Sequence, residues 1–227
     1  MLENLSGQDI KDQFKENKTL RMVTIGVSAV VILVLGYFLY KQFIWQPANE
    51  KSKDAYYAGL NYASKDSTDR AINELGRVVK KFDGKTGGEL AQFVLARQYM
   101  QKGKFKKALT ELEGVDVDDQ FISVYAIGLR GDCYSELGKY SEAMELYEEA
   151  ATTNTNIKTT PEYLFKAALC AEELKQPEKA LEFYQESILN YIDSHNDVRC
   201  RKIYDFLNSS EEIKDVEEKH KSNNCVV

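Results

Sequence analysis

The sequence has few of the residues from which catalytic and metal sites are built. Its two histidines, His195 and His220, lie in polar end segments, and its four cysteines are far apart. No group of His, Cys, Asp and Glu shows metal-ligand spacing, and no nucleophile motif of the Gly-x-Ser-x-Gly kind occurs. The Gly-Lys-Thr sequence at residues 84–86 ends like a phosphate-binding loop, but Val79 stands where that loop needs its first glycine. We therefore predict that the protein is not an enzyme and uses no cofactor or metal.

Proline and strand-like patterns are also scarce. Only three of the 227 residues are proline, and few stretches alternate apolar and polar residues as strands do. The formal net charge of −6 argues against a nucleic-acid partner, because such a partner needs a basic stripe on the protein. What remains, alanine-rich helical faces and 14 tyrosines, predicts an all-α chain with one domain of ordinary size.

The stretch from Ile127 to Ala150 predicts two short helices joined by a tight turn. Small residues would let the two helix backbones approach closely, aromatic residues would fill the space around that contact, and a glycine would end the first helix. These positions are Gly131, Tyr134, Gly138, Tyr140, Ala143, Tyr147 and Ala150. The pattern resembles the tetratricopeptide repeat (TPR), a helical hairpin of about 34 residues.

A single hairpin cannot bury its own apolar face, so a repeat needs further copies. One copy precedes this stretch, a second follows it, and a weaker copy comes first. Their signature residues are Ala71 in the first, Ala96, Tyr99, Gly103 and Ala108 in the second, and Ala168, Ala180 and Tyr184 in the fourth. Because four anchoring alanines recur at a near-constant spacing, we predict a TPR-type α-solenoid of about four hairpins over residues 53–207. Its last part, about residues 197–207, would be a capping helix, followed by a disordered tail at 208–227.

An uncharged run of 19 residues, Met22 to Tyr40, lies near the N-terminus. At 1.5 Å per residue, such a helix nearly spans the roughly 30 Å hydrocarbon layer of a membrane. We predict a cytoplasmic tail at 1–21, a transmembrane signal-anchor helix at 22–44 and a linker at 45–52. Lys and Arg are somewhat more concentrated on the N-terminal side, which favours a cytoplasmic N-terminus and a repeat domain outside the cytoplasm.

The order of these features extends the resemblance. The single anchor is followed by a degenerate first hairpin and by three local sequences: Lys85-Thr86-Gly87-Gly88, Gly131-Asp132 and the segment from Thr160 to Leu164. In these features the sequence resembles the YfgM-related TPR proteins of bacterial envelopes, in particular those of Bacteroidetes. The resemblance covers about residues 10–207. It implies a single-pass protein of the bacterial inner membrane with a periplasmic TPR domain. It also implies two partners, the SecYEG translocon and a PpiD-like membrane chaperone.

In TPR arrays the first helix of each hairpin lines a concave groove. In this register the groove would be largely apolar and aromatic, which suits an extended chain or an amphipathic helix. The candidate partner-binding residues are Tyr56, Leu60, Phe93, Arg97, Met100, Tyr125, Asp132, Phe165 and Leu169, with Gly128 at one further groove position. The alternative is that several of the aromatic residues simply pack between repeats.

Three functions fit these expectations. The first is a non-catalytic, membrane-tethered adaptor beside the translocon. The second is a holdase chaperone that binds unfolded secretory polypeptides in the groove. The third is a cytosol-facing import or organelle receptor, with the topology reversed.

Cys133 and Cys170 hold equivalent positions in adjacent repeats. Packed helices lie about 8–10 Å apart, whereas a disulfide needs Cα atoms within about 7 Å. We therefore expect two free cysteines that behave as small core residues.

Overall fold

The computed structural model describes residues 17–117 and 119–191, and the chain divides into two compact units, Met1–Lys51 and Ser52–Val227. The predicted capping helix at 197–207 and the predicted tail at 208–227 lie outside the described residues. So does most of the predicted N-terminal tail.

The first unit contains α1, Lys18–Tyr40, followed by a π-helical turn, Lys41–Trp45. Helix α2, Gln46–Ser64, continues from that turn into the second unit. The side chains of the apolar run are exposed, for example Leu33 at 73% and Ile32 at 68%. By length and composition this helical stretch is long and apolar enough to cross a membrane. The residues predicted as a linker, 45–52, are helical, and Pro47 lies just after the π-helical turn within one continuous helical stretch.

The second unit is built from helices that pack against their neighbours in chain order. After α2 these are α3, Thr68–Lys81, α4, Thr86–Gln101, α5, Phe105–Glu113, α6, Gln120–Glu136, α7, Tyr140–Thr153, α8, Thr159–Glu173, and α9, Pro177–Tyr191. They form four helical hairpins, α2–α3, α4–α5, α6–α7 and α8–α9, and no strand occurs in the described ranges. The predicted all-α solenoid of about four hairpins is confirmed.

The same turn joins the two helices of every hairpin. One residue in each turn has a positive φ: Asp66, Gly103, Gly138 and Lys175. The backbone N–H of the next residue then donates to a carbonyl five residues back, as in Lys104 to Tyr99 at 2.8 Å and Lys139 to Tyr134 at 2.9 Å. This is the C-terminal capping geometry that glycine favours, and the first and last hairpins adopt it with Asp and Lys instead.

Two of the connections between successive helices are short, at residues 82–85 and 154–158. Helix α4 already begins at Thr86, because Gly87 lies directly against the backbone of Ser52 and donates its N–H to the Ser52 hydroxyl at 3.0 Å. In the polar segment 152–160, residues 152–153 end α7 and residues 159–160 begin α8, and the five residues between them are not helical. In its short central loop, the Asn156 side chain accepts from the N–H groups of Lys158 and Thr159, both at 2.9 Å, and so starts α8.

Small residues bring the two helices of each hairpin together. The anchoring alanines are fully buried, and the facing positions are glycine or alanine. In chain order, the buried signature residues are Gly59 and Ala71 in the first hairpin; Ala96 and Ala108 in the second; Gly131, Ala143 and Ala150 in the third; and Ala168 and Ala180 in the fourth. Three apolar clusters follow along the array: one around α2–α4, one around α4–α6 and the largest around α6–α9.

Candidate partner-binding surface

The predicted groove residues of the first two hairpins are divided between core and surface. Tyr56 and Leu60 are half-buried against the first apolar cluster, and Phe93 contacts both the first and the second clusters. Met100 packs against the second cluster. Arg97 alone of this group is exposed. The aromatic side chains of these two hairpins therefore contribute to packing between helices, and Arg97 is the accessible member of the set.

In the third hairpin the groove position at Gly128 is filled from within the protein. A Cβ atom at Gly128 would overlap the ring of Tyr163 on α8, and one at Gly131 would lie 2.7 Å from the ring of Tyr147 on α7. The two glycines thus let two tyrosine rings sit against α6. These rings stack with their centroids 6.3 Å apart and their planes 18° apart. The predicted groove is closed at this level by Tyr163, a residue that the repeat register did not single out.

Asp132 joins the third and fourth hairpins. Its carboxylate accepts a hydrogen bond from the Tyr147 hydroxyl at 2.7 Å and a charge-assisted bond from the Lys166 ammonium at 2.9 Å. The ammonium also lies 5.6 Å from the ring centroids of both Tyr147 and Tyr163, and 3.7 Å from the carboxylate of Glu162. Burial, together with the nearby Asp132 charge, raises the pKa of the Tyr147 hydroxyl, so it acts as a hydrogen-bond donor at neutral pH.

A cleft of about 370 Å³ lies beside this network. Residues from α6, α7 and α8 form its walls: Ser135, Tyr140, Tyr147, Lys166, Leu169, Cys170, Glu172 and Glu173. Of the predicted groove residues, only Leu169 lines it. Phe165 instead packs in the core, with its ring tilted against that of Tyr184 at 5.8 Å. Tyr125 is half-buried on α6.

Repeat spacing alone could not single out Lys166, Glu172 and Glu173. Their positions are not part of the TPR signature, which selects small and aromatic residues for packing. Of the three, only Glu172 could have been predicted from the register, since it occupies the same repeat position as Met100, which we placed in the groove.

Cys133 and Cys170 are both buried free thiols, as predicted. Burial raises the pKa of the Cys133 thiol to about 12 and that of Cys170 to about 11. Since the thiolate is the reactive form, neither residue is suited to nucleophilic or redox chemistry. Among the described residues, no three His, Cys, Asp or Glu side chains are grouped so that they could hold a metal ion.

Comparison with known proteins agrees with this geometry. A family model described as a tetratricopeptide repeat-like domain matches residues 11–120, and tetratricopeptide repeat models match residues 124–156 and 162–194. No protein of curated function matches the chain in sequence.

Several solved structures share the fold. The MamA protein is 18% identical, with a TM-score of 0.58, and the match covers 78% of this chain and 98% of that one. A putative kinesin light chain from Podosopora anserina with nearly identical TPR-like repeats is 16% identical, with a TM-score of 0.55, over 77% of this chain and 98% of that one. A variant of the same Podosopora anserina protein with one substitution is 17% identical, with a TM-score of 0.56, over 77% and 94%.

These likenesses establish the fold, and TPR folds typically serve as non-catalytic scaffolds that bind other proteins. The three sequence matches follow one another along the chain and include the four hairpins, in which the same turn and the same alanine contacts recur. The repeat region of this chain therefore belongs to the tetratricopeptide repeat family.

Proposed function

We propose that this protein is a membrane-tethered adaptor of the bacterial inner membrane, of the YfgM-related kind. Its TPR domain would work in the periplasm beside the SecYEG translocon, where it would hold a PpiD-like chaperone or an emerging secretory polypeptide. The observation that carries the proposal is the combination of one exposed apolar helix with a four-hairpin TPR array in one chain.

The exposed helix supports the tether. Throughout Met22–Tyr40 the side chains are exposed, so no apolar residue among those that the structure describes in this unit covers the helix. A helix that is apolar all round needs either a protein core or lipid around it. Embedding it in a bilayer would place the repeat domain at the membrane surface and raise its effective concentration near membrane-bound partners.

The two cysteines among the described residues, Cys133 and Cys170, are compatible with an oxidising compartment. Cys133 is 0% exposed, and Cys170, although it lines the cleft, is only 3% exposed, so both thiols are largely shielded from a dissolved oxidant. In a periplasmic location, where exposed free thiols would be at risk of oxidation, burial would protect these two thiols.

The direct test is purification of the full-length protein from its native membranes in mild detergent, followed by mass spectrometry of the bound proteins. We expect translocon subunits together with a PpiD-like chaperone. Arg97→Glu, at the accessible groove position, should reduce their recovery, whereas the matched Arg77→Glu at another exposed position of the array should not. Recovery of unrelated membrane machinery would refute the translocon assignment.

Topology needs a separate measurement. Protease added to spheroplasts should degrade the repeat domain if it is periplasmic, and a cytoplasmic marker should remain intact in the same sample. Protection of the domain would refute the proposed orientation and favour a cytosol-facing receptor. Suppression of aggregation of an unfolded secretory protein by the purified full chain, without any chaperone present, would favour an independent holdase.

A further inference from the structure

The charged residues are distributed unevenly along the array. Between residues 52 and 113, in the first two hairpins, twelve Lys and Arg face eight Asp and Glu. Between residues 120 and 191, in the last two hairpins, the numbers reverse to six basic and twelve acidic. The half of the solenoid that contains the 370 Å³ cleft is therefore strongly acidic, which attracts cationic ligands and repels anionic ones.

The cleft itself has the same sign of charge. Among the described residues that line it, Lys166 is the only basic one, and its ammonium is already paired with Asp132 at 2.9 Å and Glu162 at 3.7 Å. Two further carboxylates, Glu172 and Glu173, line the cleft beyond that network. Glu172 accepts a hydrogen bond from the Tyr184 hydroxyl, and Glu173 is exposed without an ion pair in the part of the chain that the structure describes.

The walls also offer what an alkylammonium or guanidinium group needs besides charge. The protein already holds one such group here, since Lys166 lies over two tyrosine rings and against a carboxylate. Tyr140 and Leu169 provide further apolar surface in the cleft for the methylene part of a long basic side chain.

We infer that this cleft binds an arginine or lysine side chain of a partner polypeptide, with Glu173 as the accessible carboxylate that receives its charge. The inference deepens the proposed adaptor function, on which it rests, by naming the kind of segment that the last two hairpins select. The segment is basic, and the acidic half of the array brings it to the cleft.

The first test uses the full-length protein in detergent micelles and a fluorescein-labelled nonapeptide, Gly-Ser-Ala-Arg-Ala-Arg-Ser-Ala-Gly, with binding read by fluorescence anisotropy at about 150 mM salt. A matched peptide carries citrulline in place of both arginines, which keeps the shape and removes the charge. We expect the arginine peptide to bind at least tenfold more tightly. Equal binding of the two peptides would overturn the inference.

The second test locates the site with a pair of charge reversals. Glu173→Lys should weaken the arginine peptide at least fivefold. Glu149→Lys, an equal change at an exposed position on α7 outside the cleft lining, should weaken it less than twofold because salt screens distant charges. Both residues are exposed, so both variants should melt like the wild type. Equal losses in the two variants would show a general charge effect and would refute the cleft as the site.

The native-membrane purification separates this inference from the adaptor proposal. If the wild type recovers translocon and chaperone proteins and Glu173→Lys recovers them equally, the cleft inference fails and the adaptor function stands. If the wild type recovers none of them, the adaptor proposal fails, while the peptide measurements still decide whether the cleft takes a basic side chain.

Discussion

Replacing Gly128 by alanine tests the contact between the third and fourth hairpins most directly. A methyl group at this position would overlap the Cε1, Cζ and hydroxyl atoms of Tyr163, whose ring is 3% exposed and stacked on that of Tyr147. Overpacking of a well-packed core costs about 1–3 kcal/mol. The intrinsic helix preference of alanine over glycine returns about 0.5–1 kcal/mol. Gly128→Ala should therefore destabilise the domain by up to about 2 kcal/mol.

Gly76 supplies the matched control. It also lies inside a helix, α3, but a methyl group there would meet nothing within 4 Å. Gly76→Ala should stabilise the domain by about 0.5–1 kcal/mol, because only the helix-preference term remains. The same chemical change is thus expected to have opposite signs at the two positions, with a difference of about 2 kcal/mol.

The measurement is thermal unfolding of the full-length protein in detergent, followed by circular dichroism at 222 nm. For a protein of this size, 2 kcal/mol corresponds to about 6 °C in Tm. A double-mutant cycle with Tyr163→Leu then identifies the clashing group, since Gly128→Ala should cease to be costly once the ring is absent. Stabilisation by Gly128→Ala alone, or an equal cost in both backgrounds, would refute this account of the contact.

Further predictions concern the turns, the core, the groove and the thiols. Lys175→Gly should raise the free energy of unfolding by about 1 kcal/mol and Gly138→Lys should lower it by a similar amount in urea titrations, because both positions have positive φ. Ala143→Trp should abolish the cooperative melting of the array, because Ala143 is 0% exposed at the closest helix contact; a tolerated tryptophan would contradict the packing described here. Phe165→Glu should lower Tm by placing a charge in the largest apolar cluster, whereas Arg97→Glu should leave Tm unchanged and affect only partner recovery. Burial raises the pKa of the Cys133 thiol from about 9 to about 12 and that of Cys170 to about 11, so both thiols ionise at a lower pH in the unfolded chain than in the folded domain. The free energy of unfolding should therefore be independent of these thiols below pH 9. Above pH 9 it should fall by about 1.4 kcal/mol per pH unit for each ionising thiol, up to the pKa of that thiol in the folded domain. Between pH 8 and pH 10.5, the urea midpoint of unfolding should fall less for the double variant Cys133→Ala/Cys170→Ala than for the wild type.

The sequence was sufficient to predict the fold because each TPR position has one local physical task. The small side chain of Ala143 permits a close helix contact, and Gly138 permits a positive φ. Both requirements restrict the residue type at one position, so they can be recognised in the sequence without the structure. The turn positions at Asp66 and Lys175 show the limit of such reading. The capping geometry is retained there without glycine, because packing of the hairpins on either side outweighs the local cost in backbone conformation.

The candidate site was harder to predict because it depends on pairs of side chains from different repeats. The register placed Gly128 in the groove, but the space beside Gly128 is filled by the ring of Tyr163, which comes 35 residues later in the chain. Asp132 was selected as a polar groove residue, and only the structure shows that its charge is engaged by Lys166 and Tyr147. A sequence pattern that covers one repeat cannot show which side chains of the next repeat will contact it.

The unequal apolar clusters also have a mechanical consequence. Each hairpin contacts only its neighbours, so a pulling force along the array is carried by every interface in series. The cluster between the second and third hairpins consists of three alanines, two leucines and Cys133, and part of it comes from α5, the shortest of the described α-helices. The cluster around the last two hairpins contains three buried tyrosines and Phe183. Under load, the array should open first at the junction after α5 and leave the last two hairpins, with the proposed cleft between them, intact.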